Sequence, residues 1–385
     1  MKDERCIVHM DMDSFFVSVE RLQNPRLLER PVIIGGLSER GVVASCSYEA
    51  REFGVHSAMP MRMARQLCND AIIIRGDIDL YSKYSDMVTE IIHENSPVYE
   101  KASIDEYYID LSGMERFFGT FKWAKKLKTS IYKHIGLPVS FGLSVNKTVS
   151  KIATGEAKPE GHLQVPSQLV RPFMSPLSIR KIPMIGDKTY SLLRSMGVRN
   201  IKTLRELSVE MLESVLGKNG ILLWKKANGI DHTPVKPYTD RKSISLERTF
   251  ERDTIDMREL HMVLTSMIES LAYRLRSENK LTACVVVKIR YSNYDTQTIQ
   301  KRISYTAFDH VLIETGKELF GKLYSRRMLI RLLGVKFSKL TGGTQQLNLF
   351  EDNTRFVNLY QSMDKIRRRY GSDTIGRAGG KKMIG

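Results

Sequence analysis

The chain is predicted to be a multidomain protein of the α/β (α+β) class. Its 385 residues exceed what one hydrophobic core usually organises. Short apolar strand-like runs interleave with helical periodicity up to about residue 166 and again over 240–341, whereas 171–230 shows helical spacing with no strand pattern.

The elements follow in order. CIVHMDM (6–12) has the continuous apolar character of a buried strand ending in acids, and PVIIGG (31–36) and GVVASCS (41–47) are two further strands joined by a turn. Helices are expected at 48–53, 61–67 and 81–95, then a strand pair in YEKASIDEYYIDLS (99–112), a helix at 121–135, the strand VSFGLSV (139–145) and a helix at 147–156. Residues 171–230 hold two short helical stretches punctuated by IPMIG, MGV and LGKNG. The polar, proline-bearing HTPVKPYTDRKS is a linker. Beyond it SISLERTF, ACVVVKIRYSNY, QKRISYTAF and IRLLGVKFSKL are strands, with helices at 257–277 and 310–323 between them. TGGTQQLNLFEDN is Gly-rich and polar and precedes an amphipathic helix at 355–370.

Lys and Arg number 60 against 43 Asp and Glu, a net charge of +17 that points to a polyanionic partner, although a solvated basic surface has the same composition. No apolar run approaches the roughly 20 residues a membrane span needs, and the start has no basic-plus-apolar leader, so a cytoplasmic protein without membrane contact is expected. Cys6, Cys46, Cys68 and Cys284 show no CxxC spacing, which argues against a zinc site or a disulfide framework and for reduced core thiols.

The chemistry-bearing pattern is carboxylic. A strand through Asp11 and Asp13 puts both on one face, and Asp105 and Glu106 arrive on a second strand pair. Hard oxygen ligands of this kind suit Mg²⁺, and two such ions can activate an attacking hydroxyl while neutralising a leaving pyrophosphate. Taken singly, DMD is equally a solvent-exposed strand end and SIDE a turn. Adjacent strand residues point to opposite faces, so Asp105 and Glu106 can serve one metal cluster only if SIDE sits at a hairpin tip or bulge.

IVHMDMDSFF with VERLQNP, ASCSYEAREFGV, SIDEYYIDLS and LSVNKTVSKIATGEAKPEG, in that order, resemble the Y-family (lesion-bypass) DNA polymerases, nearest the DNA polymerase IV branch, over almost the whole chain. The resemblance implies a right-hand polymerase: a palm at 1–170 with fingers inserted at about 15–77, a helical thumb at 171–231, a linker at 232–241, a little-finger domain at 242–341 and a tail at 342–385. It implies a DNA-directed nucleotidyltransferase for translesion synthesis and repair, of low fidelity and without proofreading, acting as a monomer on primer-template DNA and dNTP. Two Mg²⁺ ions would be held by Asp11, Asp105 and Glu106 with the Met12 carbonyl, Glu106 being catalytic, and Asp13 would be a structural neighbour. Phe16 matches a steric gate against the 2′-hydroxyl, although Phe15 could equally be the ring that lies in the core. Tyr48 and Arg51, at i and i+3 of a short helix, and Lys158 match triphosphate contacts. Lys147 and Lys151, one helical turn apart, add to the local field without being assigned a contact. Ala44, Ser45 and Ser47 fit a loosely closed fingers layer.

IRKIPMIGDKTYSLLRSMGV resembles a helix-hairpin-helix that binds DNA phosphate through backbone N–H groups, with Met184 where the family usually has glycine at a positive-φ position. The 240–341 segment holds 19 Lys and Arg against 12 Asp and Glu, as a basic sheet along a duplex would. QQLNLF (345–350) resembles a sliding-clamp peptide in which Gln346, Leu347, Leu349 and Phe350 plug an apolar groove; the alternative is that these residues fold back onto the protein. Two other functions compete with the polymerase: another two-metal enzyme on a palm-like sheet, such as a nucleotidyl cyclase, which needs neither helical hairpins nor a clamp peptide, and a catalytically silent DNA-binding scaffold, against which the retained carboxylates, Arg51 and Lys158 argue.

Tethering raises local concentration without altering an active site. Changing Leu349 and Phe350 together to alanine is therefore expected to erase clamp-stimulated processivity while leaving clamp-free addition of a single nucleotide intact. Loss of that single addition in a primer-extension assay would make the segment part of the fold.

Overall fold

One buried strand organises the N-terminal part of the chain. In the computed structural model, which describes residues 5–114, 119–237, 240–343, 354–371, 374–377 and 380, contacts divide the chain into two units, Met1–Thr239 and Asp240–Gly385. In the first, β1 (Ile7–Met12) is buried at every position but the half-buried Asp11. It leads through Ser14, at φ 44°, into α1 (Phe15–Gln23). The sequence conceals this helix because its apolar residues Phe15, Val17 and Val19 alternate as a strand's would, and burial of Phe15, Ser18 and Val19 supplies the helical spacing instead.

Next come β2 (Val32–Gly35) and β3 (Val43–Cys46), α2 (Tyr48–Glu52), α3 (Met61–Leu67) and β4 (Ile72–Ile74), the strands forming a small sheet ordered β3-β2-β4. Helix α4 (Ile78–Asn95) begins three residues before the expected start at 81, because the Asp77 carboxylate caps it by accepting from the N–H groups of Asp79 and Leu80, both at 3.0 Å. Then follow β5 (Tyr99–Lys101), β6 (Glu106–Asp110), α5 (Thr120–Ile135), β7 (Val139–Ser144), α6 (Lys147–Ala157) and β8 (His162–Val165). The strands β4 and β8, of three and four residues, are too short to leave a periodic signal.

The larger sheet runs β5-β6-β1-β7-β8, with β1 antiparallel to both neighbours. One face carries Val8, Met10, Met12, Tyr107, Ile109, Val139, Phe141 and Leu143, packed on Val88, Ile92, Ala124, Leu127 and Ile131 of α4 and α5. Opposite lies a polar face, Asp11, His9, Glu106, Tyr108, Ser140 and Gly142, and α6 packs on it. Gly142 permits that approach, since a Cβ there would meet Ser150 O at 2.3 Å and Thr154 N at 2.6 Å.

The helical stretch resolves into α7 (Val170–Met174), α8 (Asp187–Ser195), α9 (Ile201–Glu206), α10 (Val209–Leu216) and α11 (Lys218–Ala227). There are more helices than the two expected, because Asn200 and Ser208 interrupt the pattern as caps, accepting from Thr203 N and Met211 N.

In the second unit β9 (Ser243–Thr254), α12 (Met257–Ser277), β10 (Lys280–Tyr291), β11 (Thr296–Thr306), α13 (Asp309–Leu323) and β12 (Ile330–Gly342) form an antiparallel sheet ordered β11-β10-β12-β9, with α12 and α13 sharing its core. A last helix, α14 (Thr354–Tyr370), is fastened to this unit. Arg276 donates to Asp309 at 2.5 Å and to Asp364 at 2.7 Å, and the Tyr360 ring is buried. Cys46, Cys68 and Cys284 are buried as expected of core thiols, but Cys6, just before β1, is only half-buried. Among the described residues no helix is long and apolar enough to cross a membrane.

The turn before α8 holds Met184 at φ 84° with its side chain 60% exposed, so the residue carries a left-handed backbone and gains little packing for it. Met184→Gly is expected to raise stability by up to about 1 kcal/mol, the relief of strain exceeding the added unfolded-state freedom. A lower urea midpoint in the variant would contradict this.

Candidate active site

Register brings the acids together. Asp11 lies directly opposite Glu106 in the β1–β6 pair, and opposed residues of an antiparallel ladder point to the same face. Residues 102–106 form the tip of the β5–β6 hairpin, where the geometry of adjacent strand residues required SIDE to be. Ala102 N donates to Glu106 O at 2.9 Å, and Ser103 Oγ accepts from Glu106 N at 3.0 Å while donating to Asp105 Oδ1 at 2.5 Å. Met12 N donates to Asp105 O at 3.1 Å, which ties the tip to the end of β1.

Two of the three acids are held by lysines of the α6 region. Lys158 Nζ donates to Asp11, and Lys151 Nζ lies 2.5 Å from both Glu106 oxygens. Burial pushes the Asp11 carboxyl up to about 7 even against the pull of Lys158, so more positive charge would still be favourable there. Burial also works to raise Glu106, but the Lys151 ammonium at hydrogen-bond distance outweighs it and holds that carboxyl well below the usual carboxylate range. Burial lowers His9 to about 4 and leaves it neutral. Its Nδ1 is 2.9 Å from Thr154 Oγ1, whereas Nε2, 3.8 Å from Glu106, is too far to hydrogen-bond. As they stand among the described residues, no three His, Cys, Asp or Glu side chains are arranged to hold a metal ion. The donor set is nevertheless all carboxylate oxygen and part-buried, which fits a hard divalent cation such as Mg²⁺.

Asp13 differs from its neighbours. It is 2% exposed, and Oδ2 accepts from Ser140 Oγ at 2.7 Å and Glu160 N at 2.9 Å while Oδ1 accepts from Tyr48 OH at 3.1 Å. Both oxygens are occupied in joining α2, β7 and the loop after α6.

A cavity of about 160 Å³ opens beside the acids, lined by Asp11, Met12, Phe16, Ala44, Ser45, Arg51, Asp105 and Lys158 among others. Phe15 is the core ring, and Phe16 is half-buried and stacked on Tyr81, centroids 4.3 Å apart at 14°. Tyr81 is itself fixed by donating to Glu20 at 2.6 Å. Arg51 lies over the Tyr48 ring at 4.5 Å and donates to Ser14 Oγ at 3.2 Å. Glu106 and Tyr48 do not line the cavity. Neither does Ser47, which is fully buried and caps α2 by accepting from Ala50 N at 3.3 Å.

Lys151 and Tyr81 are the residues that sequence reasoning passed over. Lys151 was visible as a helical neighbour of Lys147, but only the fold shows its carboxylate; Tyr81 had no local signal. The QQLNLF residues lie outside the described residues.

Residues 10–155 match the model of the impB/mucB/samB family, and residues 241–349 match that of the impB/mucB/samB family C-terminal domain. A DNA polymerase IV of Dehalococcoides mccartyi is 39% identical over 375 residues, 96% of each sequence. The chain belongs to the DNA polymerase IV family. The DNA polymerase IV of Treponema denticola, 36% identical over 97% of this chain and 96% of its own, agrees. Among solved structures, a Y-family DNA polymerase chimera of Dbh and Dpo4 superposes with a TM-score of 0.76 at 25% identity, covering 88% of this chain and 100% of its own. This polymerase therefore has the mixed α/β, multidomain Y-family fold, and its reaction class is DNA-directed nucleotidyl transfer.

The buried Asp13 carboxylate satisfies three donors, so Asp13→Ala is expected to cost about 2–4 kcal/mol in denaturant unfolding. A loss under about 0.5 kcal/mol, the size of an ordinary surface change, would mean that Asp13 does not hold these elements together.

Proposed function

We propose that this chain performs template-directed addition of deoxynucleotides to a primer 3′ end during translesion synthesis and repair, using two Mg²⁺ ions held by Asp11, Asp105 and Glu106 with the Met12 carbonyl. The observation that carries it is that Asp11, set opposite Glu106, and Asp105 line a small cavity that also presents Phe16, Arg51 and Lys158. When bound, the ions would supply Lewis-acid activation of the primer hydroxyl and neutralise charge on the leaving pyrophosphate. The chain's own groups do the rest. Arg51 and Lys158 reach the triphosphate as charge-assisted donors, and Tyr48 assists through its hydroxyl and by holding the guanidinium in place. Phe16, backed by Tyr81, forms a wall that a 2′-hydroxyl would meet. Asp13 serves as a strut and not as a ligand.

In this proposal 1–170 is palm with fingers at about 15–77, 171–231 thumb, 232–241 linker, 242–341 little finger and 342–385 a tail with the clamp peptide. Small residues, Ala44 and Ser45, on the cavity wall leave the nascent pair loosely enclosed, which favours damage tolerance and low fidelity.

The acids act on metal and triphosphate while the duplex is held elsewhere. Asp105→Ala is therefore expected to lower primer extension by at least about a thousandfold with little change in DNA affinity, measured by extension and by fluorescence anisotropy. Robust extension by the variant would remove the metal assignment.

A further inference from the structure

Helix α6 and the residue after it present one stripe to the polar face of the sheet. Lys147, Lys151, Thr154 and Lys158 recur at spacings of four, three and four. Each finds its own partner on that face: Lys147 donates to Glu100 at 2.7 Å, Lys151 meets Glu106, Thr154 meets His9, and Lys158 meets Asp11. The seat is set by close packing, because Gly142 lets the helix backbone touch β7 and Thr154 Oγ1 lies 3.0 Å from the His9 carbonyl.

Two of these pairs involve acids proposed to hold metal. Asp105, by contrast, accepts at 2.5 Å from a neutral hydroxyl, that of Ser103. An incoming nucleotide offers Lys158 its phosphates and so frees Asp11. Lys151 has no such alternative among the proposed triphosphate contacts, and it lies only 2.5 Å from both Glu106 oxygens with His9 closing the other side.

We infer that Lys151 is a resident counter-ion of Glu106, a positioning residue that a divalent cation must displace, and that it keeps the acids from retaining metal until a nucleotide arrives. This rests on the metal assignment made above. The physical basis is competition: a fixed ammonium at hydrogen-bond distance neutralises one carboxylate of the set, lowering the field that attracts a cation and occupying the oxygens the cation needs. Metal and nucleotide then load together, since the triphosphate brings both the missing negative charge and an acceptor for Lys158.

The test is a Mn²⁺ titration of the full chain without DNA or nucleotide, following the electron-paramagnetic-resonance signal of free Mn²⁺. Lys151→Met, which keeps the stem and removes the charge, is expected to bind Mn²⁺ about tenfold more tightly than the parent. Lys151→Arg, which restores the charge, is expected to stay near the parent and guards against a folding artefact in the methionine variant. Adding Asp105→Ala to Lys151→Met is expected to abolish the gain. Equal or weaker Mn²⁺ binding by Lys151→Met, with Asp105→Ala still weakening binding, would overturn the counter-ion role and leave the metal assignment standing. If Asp105→Ala changes Mn²⁺ binding in no background, the metal assignment fails and this inference fails with it.

Discussion

The structure around the site depends on one ladder, the antiparallel pairing of β1 with β6 that sets Asp11 opposite Glu106. A slip of one residue would put Asp11 and Glu106 on opposite faces and drive one of them into the apolar layer formed with α4 and α5. The register is specified from both sides of the sheet. The apolar set Val8, Met10 and Met12 demands the α4–α5 side, and the small residues Ser140 and Gly142 suit the side on which α6 rests.

Concentrating acids on a covered sheet face is unfavourable unless cations accompany them. The chain supplies those cations from α6, placed by a glycine contact and by a Thr154–His9 link, and not from a flexible loop. Asp13 shows a different solution, a carboxylate whose hydrogen bonds come from neutral donors while the Lys158 ammonium stands 3.7 Å from Oδ1. Two aspartates separated by one residue thus have different chemistry because Lys158 donates directly to Asp11 whereas hydroxyl and amide groups donate to Asp13. The left-handed Ser14 directly after them turns the chain so that Phe15 enters the core while Phe16 faces the cavity.

The second unit applies related physics away from the acids. Arg276, largely buried, is paired with Asp309 and Asp364, so three helices share one ion cluster and α14 belongs to the folded unit. A buried guanidinium with two carboxylates specifies how those helices seat more than it adds to net stability.

Much of this was open to the sequence. The mixed α and β pattern, most strand and helix positions and the hairpin tip at SIDE all follow from local rules of periodicity and strand geometry, which act over a few residues, and the positive φ at Met184 was implied by the family resemblance. The family match likewise lies in contiguous motifs. What the sequence could not decide was whatever depends on partners distant in the chain. Alternating apolar residues hid helix α1, because its burial is set by the sheet it covers. Asp13 was offered to a metal by strand geometry and was drawn instead into hydrogen bonds with Tyr48, Ser140 and Glu160, none of them a neighbour in sequence. Lys151 was legible only as a contributor to the local field, without a contact, until α6 was seated on Gly142 and its ammonium came to rest on Glu106. Local geometry decides which side chains share a face; only tertiary packing decides which charges meet across it.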